Sequence, residues 1–339
     1  MPSLKSPPVI DFSDFLSGDP KRMQHVADQI HEACTTQGFF QIINHGISLQ
    51  LQRDTMKASK EFFALDASEK MKLDKSKASF RRFYTFSHHL SLTLETEQIQ
   101  PRLRGYYVSR DLPMNHPQVK AEKFAHGPNV WPESLGEPFR KICMEYLDEI
   151  IKLTEEVLRA TSMSLGYDAN YFDEFCKDPM CFYKMLHYPP QPADAHALQR
   201  GIGAHRDFGV ITLLLQGDVA GLEVWDDDAK DWYPCPPVEG AYVVNMGNLF
   251  EQWTNDVYIS NVHRVINRSG TERYSIPFNY NGNPDFVIKC LDKCRAKSDD
   301  EKYAPVSVED YVVQKYKDVY SRAGVYKQDT FAPTKTVVA

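Results

Sequence analysis

The sequence predicts a mainly β fold with flanking helices, a sandwich or jelly roll backed by one long support helix. Three observations carry this. From Cys181 to Asn281, short β-like runs follow one another at close intervals: CFYKMLHYPP, VITLLLQ, GLEVW, WYPCPP, YVVNMG, VYISNVHRVI and RYSIPFNYN. Their separators are rich in Gly, Asp, Asn and Pro. Residues Glu137 to Gly166 repeat apolar side chains (Ile142, Tyr146, Ile150, Leu153, Val157, Leu158) at three- and four-residue steps, the spacing of a helix laid on a sheet. Within RYSIPFNYN the side chains alternate. Arg273, Ser275, Pro277 and Asn279 share one face of the strand, and Tyr274, Ile276, Phe278 and Tyr280 share the other.

Taken in order, PVIDF (8–12) reads as a short strand. Lys21 to Gln37 has helical spacing, closed by Gly38 at the position typical of a helix end. GFFQIINHGI is a buried strand with a turn at Asn44-His45-Gly46, and His45 there reads as structural. Leu49 to Leu65 is helical, and a further turn follows, with Asp66 or Ser68 as cap. Ser76 to Val108 is the least regular stretch and reads as a lid or a long surface loop. After the long helix, DANYFDEFC reads as a short helix, and Gln191 to Arg200 as a polar linker. At the other end, SVEDYVVQKYKDVYSR is helical, with Ser307 placed as its cap. These signals divide the chain into residues 1–110, 111–175, 176–290 and 291–339, an N-terminal region, support helices, a catalytic core and a C-terminal helix with tail, folded as one catalytic unit.

Composition limits the function. With 339 residues, 42% hydrophobic and 25% charged, the chain is an ordinary globular one. A net charge of −7 and the absence of a basic run argue against nucleic acid or an anionic membrane as partner. No apolar stretch approaches the ~20 residues that cross a bilayer, and no targeting signal is evident, so a cytoplasmic location is expected. Seven cysteines stand singly, which suggests free thiols. The expected partner is a small molecule; nothing bears on oligomeric state.

The chemistry is concentrated between Gly203 and Asn281. His205 and Asp207 are two positions apart, which on an extended strand puts both on one face. His263 follows in the next strong β-like run. Two imidazoles and a carboxylate, with further positions open, are the facial triad of non-haem Fe(II) oxygenases. Arg273 and Ser275, again two apart, supply a guanidinium fork and a hydroxyl suited to a carboxylate. Two histidines and a carboxylate also bind zinc, so a zinc hydrolase stays open. The letters HRDFG overlap two kinase motifs, but those motifs are separate elements in a kinase, and no glycine-rich loop precedes them here.

PVIDF, GFFQIINHGI, HYPP, HRDFGVITLLLQ, GLEVW, VVNMGNLFEQWTND, SNVHRV and RYSIPF together resemble the iron/2-oxoglutarate-dependent oxygenases of the isopenicillin N synthase-like family, and most closely fungal pyrimidine hydroxylases of the thymine dioxygenase type. The resemblance implies a double-stranded β-helix (jelly-roll) core. It implies His205, Asp207 and His263 as iron ligands, and Arg273 and Ser275 as the site for the distal carboxylate of 2-oxoglutarate. Tyr188 in HYPP would contact that cosubstrate, while Leu186 replaces an asparagine of plant members. Arg206 stands where a small residue is common and is expected to face away from the metal. Arg104 and Tyr106, in an RGY motif, with Phe278 and Tyr280, would shape the substrate pocket. Arg81, Arg82 and Arg104 suggest an anionic or carbonyl-rich substrate. The implied activity is oxidation of a C–H bond of a small organic molecule (hydroxylation, desaturation or cyclisation) in fungal-type secondary or pyrimidine metabolism, with Fe(II), 2-oxoglutarate and O2. The alternatives are an iron oxidase of the same fold that uses no 2-oxoglutarate, and a non-catalytic binding protein.

Overall fold

A computed structural model describes residues 6–73, 104–190, 201–295 and 301–325. Residues 76–103 of the stretch expected as a lid or loop (76–108), with Arg81 and Arg82, and the linker at 191–200 lie outside the described residues. So does most of the tail.

The N-terminal part runs β1 (Val9–Asp11), α1 (Ser13–Leu16), α2 (Pro20–Thr36), β2 (Phe39–Ile43), α3 (Leu49–Ala64) and α4 (Ala67–Lys72). Helix α2 starts one residue earlier than its apolar spacing suggests. Asp19 caps it by accepting from the amides of Lys21 and Arg22, and Pro20 occupies the first turn, where its missing N–H costs nothing. Ser48 caps α3 in the same way, through the Leu51 amide. Gly38 ends α2 at φ +69°, and a Cβ there would sit 2.1 Å from the Ile259 carbonyl oxygen, so only glycine fits.

Strand β3 (Arg104–Ser109) then pairs with β4, so the end of the stretch expected to be irregular is ordered strand. A single turn, α5 (Pro117–Lys120), precedes the long helix α6 (Gly136–Ser164). Residues 168–176, expected as a short helix, form successive isolated turns. The Asp168 and Asn170 carbonyls accept from amides three residues on, and no continuous i to i+4 ladder develops.

The core strands are β4 (Cys181–Tyr188), β5 (Ile202–His205), β6 (Ile211–Gln216), β7 (Leu222–Asp226), β8 (Asp231–Pro234) and β9 (Tyr242–Met246). After the short helix α7 (Asn248–Trp253) come β10 (His263–Val265), β11 (Arg273–Tyr280) and a small β12 (Val287–Ile288)–β13 (Val306–Ser307) pair. Helix α8 (Val308–Val325) follows, its Asp310 amide bonded to Ser307 Oγ at 3.1 Å as expected.

Seven strands form one sheet in the order β1-β2-β9-β6-β11-β4-β3, and four form a second, β5-β10-β7-β8. Strands from the N-terminal third therefore complete both edges of the larger sheet. Period-two alternation gives this sheet two unlike faces. Its outer face carries Phe40, Tyr183, Leu213, Tyr242, Ile276, Phe278 and Tyr280 into the large core shared with α2, α3 and α6. Its inner face brings Phe39, Leu186, Tyr188 and Val243 against Leu222, Val224, Tyr233 and Val265 of the second sheet and the segments beside it. This is the jelly-roll core, with the long helix supporting it from outside. Among the described residues no helix is long and apolar enough to cross a membrane.

Candidate metal centre and buried cationic site

Strands β5 and β10 are antiparallel, with His205 and His263 in direct register. Their imidazole centroids are 4.2 Å apart. Strand β5 ends at His205, so Asp207 lies just beyond it in the loop and not on the strand as the H-x-D spacing suggested. Its side chain converges all the same. Asp207 Oδ1 is 3.7 Å from His205 Nε2 and 3.9 Å from His263 Nε2. One donor atom from each of the three residues falls within 4.8 Å of the others, the spacing of a metal-binding cluster.

The surroundings leave those three atoms to a cation. His205 Nδ1 lies 2.9 Å from the Gly203 carbonyl oxygen, and His263 Nδ1 lies 3.4 Å from that of Asn261. Since carbonyls only accept, each Nδ1 carries a proton, and each Nε2 is the ring nitrogen turned to the cluster. Asp207 Oδ2 accepts from Thr212 Oγ1 at 2.7 Å and Asn245 Nδ2 at 2.9 Å, so Oδ1 is the oxygen turned to the imidazoles. Burial works against the Asp207 charge, yet the two histidines and these two hydrogen bonds outweigh it and hold the carboxyl below the usual range. For His263, burial first and the neighbouring His205 second lower the imidazole to about 4, so it is neutral near pH 7. Two imidazoles and one carboxylate fit Fe(II), and as only three protein ligands they leave room for exogenous ones.

Backbone contacts fix the loop that carries Asp207. The amides of Asn248 and Leu249, opening α7, bond the carbonyls of Asp207 (2.7 Å) and Gly209 (3.1 Å). A Cβ on Gly209 would lie 2.1 Å from Asn281 Oδ1, so this approach needs glycine. Arg206 faces away from the cluster, as expected, with Nη1 against the Ser260 carbonyl and 3.4 Å from Glu251 Oε1.

The second part of the site is Arg273, fully buried on the inner face of β11. Its Nε donates to the Val219 carbonyl at 3.1 Å, Nη1 to Ser275 Oγ at 3.2 Å and Nη2 to Gln216 Oε1 at 3.4 Å. The Tyr188 ring, from the neighbouring strand β4, stacks on the guanidinium at 4.8 Å. Every described partner is neutral, and no described carboxylate pairs with this buried charge. Burying a cation in that state is costly, and an anionic ligand would relieve the cost. Arg273, Ser275 and Tyr188 are therefore together, as the sequence suggested. Leu186 joins them as an apolar wall.

The aromatic residues expected in the substrate pocket are elsewhere. Phe278 and Tyr280 sit on the outer face of β11, fully buried in the helix-side core, and Tyr280 Oη donates to Glu155 Oε1 at 3.3 Å. Tyr106 stacks on Phe62 at 4.2 Å and donates to the Val130 carbonyl at 2.7 Å. Strand parity explains the correction, since the inner positions of these strands belong to their neighbours in sequence. For Arg104 only the backbone pairing with His187 is described.

Three groups escaped the sequence reading. Thr212 and Asn245 hold Asp207, and nothing in sequence separates them from other polar strand residues. Lys184 is the third. It lies on β4 at the same parity as Phe182, Leu186 and Tyr188, a lone charge in a buried strand, and that signal was legible. Its Nζ is 5.6 Å from the Tyr107 ring centre and 5.5 Å from that of Phe182. Burial pushes its ammonium pKa down, while the Asp207 charge acts in the opposite direction.

Comparison with known proteins fits this geometry. Residues 7–134 match the profile of the non-haem dioxygenase in morphine synthesis N-terminal region, and residues 175–282 that of the 2OG-Fe(II) oxygenase superfamily. The chain is 43% identical to the 2-oxoglutarate-Fe(II) type oxidoreductase hxnY of Emericella nidulans, over 96% of this chain and 93% of that one. It is 37% identical to the 2-oxoglutarate-dependent dioxygenase citB of Monascus ruber, over 93% and 95%. The crystal structure of a full-length Neurospora crassa protein in complex with alpha-KG and thymine superposes with a TM-score of 0.78 at 28% identity, covering 93% of this chain and 97% of that one.

Proposed function

The chain belongs to the 2OG-Fe(II) oxygenase superfamily, and from that membership we propose that His205, Asp207 and His263 are its iron ligands and that Arg273 and Ser275 receive the distal carboxylate of 2-oxoglutarate. The enzyme is a 2-oxoglutarate-dependent dioxygenase, and Fe(II) and 2-oxoglutarate are its metal and cosubstrate. The observation that carries the residue assignment is the pairing of two features on one jelly roll: a His-Asp-His cluster with its donor atoms turned together, and a buried guanidinium with no described counter-charge.

Fe(II), with O2 and the oxidative decarboxylation of 2-oxoglutarate to succinate and CO2, supplies the oxidant for one C–H bond of a small organic substrate. This chain's residues supply placement. Thr212 and Asn245 lock Asp207 so that Oδ1 alone faces the imidazoles. The Gly203 and Asn261 carbonyls fix both histidine tautomers. Arg273 neutralises the far carboxylate, with Ser275 Oγ beside it, and the flat Tyr188 ring keeps water off that ion pair. Relatives named for 2-oxoglutarate favour this reading over the cosubstrate-free oxidase.

The proposed substrate is a small ring compound of pyrimidine or secondary metabolism. Support comes from the Neurospora crassa complex with thymine, a pyrimidine, and from the fungal relatives. The chain works as one catalytic unit, its N-terminal strands completing the sheet that carries Arg273.

The test is an anaerobic titration of apo-protein with Fe(II) and then 2-oxoglutarate. A weak visible charge-transfer band that saturates at one equivalent is the expected result. Iron binding without that band would return the oxidase to first place, and failure to bind iron would remove the ligand assignment. Thymine-stimulated succinate formation then tests the pyrimidine class.

A further inference from the structure

We infer that Arg206 and Glu251 form a clasp that positions Asp207 for the metal, with Ser260 as the residue both of them grip. Both act through Asp207 and are positioning residues. The inference rests on the ligand assignment above and deepens it.

The three ligands are not held alike. His205 and His263 lie in direct register on paired strands, so the sheet itself sets their separation. Asp207 has no such support, because β5 ends two residues before it. Thr212 and Asn245 orient its carboxylate, and the amides that open α7 hold its loop on one side. The link from that loop to the segment leading into β10 is made by side chains.

Ser260 is the far end of that link. It is fully buried and lies in the segment just before His263. Each of its polar groups is committed across the gap. Its amide donates to Glu251 Oε1 at 2.9 Å, its carbonyl accepts from Arg206 Nη1, and its hydroxyl donates to the Asp207 carbonyl at 3.5 Å. The next residue, Asn261, holds His263 Nδ1 through its carbonyl. Its side-chain amide donates to the carbonyls of Gln37 at 3.0 Å and Trp225 at 2.9 Å. The tether therefore runs from Asp207 through Arg206 and Ser260 to His263 without passing through the metal position.

Glu251 closes the clasp from α7, the helix whose first amide bonds the Asp207 carbonyl. Its Oε1 lies 3.4 Å from Arg206 Nη1, so one carboxylate oxygen meets both the guanidinium and the buried Ser260 amide. The Arg206 side chain is 36% exposed and that of Glu251 21%, so the ion pair by itself adds little to stability. Its weight is geometric. It keeps the Asp207 loop and the entry to β10 in step before any metal arrives, and so lowers the cost of assembling three ligands around a cation. A small residue at position 206 would leave the Ser260 carbonyl and Glu251 without this link.

The experiment titrates the full-length apo-protein with Co(II), whose visible d–d bands report binding and ligand geometry without turnover. The melting temperature of each apo-protein is recorded alongside. Arg206→Met should bind Co(II) about ten-fold more weakly than wild type, the lower end of what losing a ligand-orienting partner costs. Its melting temperature should change little. Arg206→Lys restores a cation and a donor and should recover most of the loss. Glu251→Gln keeps an acceptor for the Ser260 amide but removes the charge. Added to Arg206→Met it should cost almost nothing further, because the two residues act as one unit. Wild-type affinity in Arg206→Met overturns the inference, as does a loss that Arg206→Lys does not recover. An additive double variant overturns it by making the two residues independent. A lowered melting temperature with affinity intact overturns it by assigning the pair to folding alone. Should Glu251→Gln not fold, the two Arg206 variants decide. Asp207→Ala is titrated in parallel. If it binds Co(II) as tightly as wild type, the ligand assignment itself fails; if it binds weakly while Arg206→Met does not, only the clasp fails.

Discussion

The two faces of β11 differ in what they ask of the rest of the molecule. On the outer face, Phe278 is enclosed in the helix-side core and Tyr280 donates to Glu155 and to the Cys176 carbonyl. Their burial is complete and their chemistry is answered by the protein. On the inner face, Arg273 is equally buried but, among the described residues, meets only neutral oxygens, a tyrosine ring and the close backbone of Gly221, where a Cβ would lie 3.1 Å from its Nε. Burial alone therefore does not separate function from structure. A buried group whose natural counterpart is absent from the described protein points to a ligand, whereas an aromatic residue with its polar tip bonded points to packing.

Four measurements break or sharpen that contrast. The largest effect belongs to Asp207→Ala. Turnover should fall by about a thousand-fold or more as a three-ligand site loses its only carboxylate, with the melting temperature of the apo-protein little changed. An iron-replete, fully active variant would end the assignment. Next is Phe278→Ala on the opposite face, which should cost about 3–5 kcal/mol of stability as a buried ring is removed. Its kcat/KM per folded molecule should stay within a few-fold of wild type, and a selective loss of substrate affinity would restore Phe278 to the pocket. Arg273→Leu should weaken 2-oxoglutarate binding by about thirty-fold or more, since one member of a buried charge pair is truncated. The charge-transfer titration reads it directly, and an unchanged midpoint would show that the guanidinium serves some other anion.

The smallest effect is a pH slope. The folded-state value of His263, about 4, lies below the ordinary 6.5. Between those values the unfolded chain binds more protons, so the stability from the neutral, buried imidazole is present above about 6.5 and is lost as pH falls toward 4. The apo-protein should melt progressively earlier from pH 7 to pH 5, and His263→Gln should flatten that slope. An unaltered slope in the variant would place the titrating group elsewhere.

Much of this was legible in the residues. The helix cap at Ser307, the glycine after α2, and the turn-punctuated strands all mark local chemistry that needs no distant partner. The ordered set His205, Asp207, His263, Arg273 and Ser275 was legible because two imidazoles and a carboxylate, followed at short spacing by a guanidinium and a hydroxyl, suit a metal and a carboxylate together. The short helix expected at 168–176 fails because Asp and Asn carbonyls there close separate turns. Tyr106, Phe278 and Tyr280 were misplaced because an aromatic side chain suits either face of a sheet, and its type carries no sign of which.

The sequence by itself determined the fold class, the order of the strands along the chain and the set of residues able to hold a metal and a carboxylate. It also determined which residues of a strand share a face, since that follows from a repeat of two. Only the tertiary structure decided which face looks inward. That choice depends on the pairing of β11 with β4 and β6, and of β5 with β10, contacts between residues far apart in the chain. The same pairing brought Asp207 to the two imidazoles from a loop rather than a strand, and set Lys184 among the inward groups. A local pattern specifies alternation; the sign of the alternation is set by what packs against it.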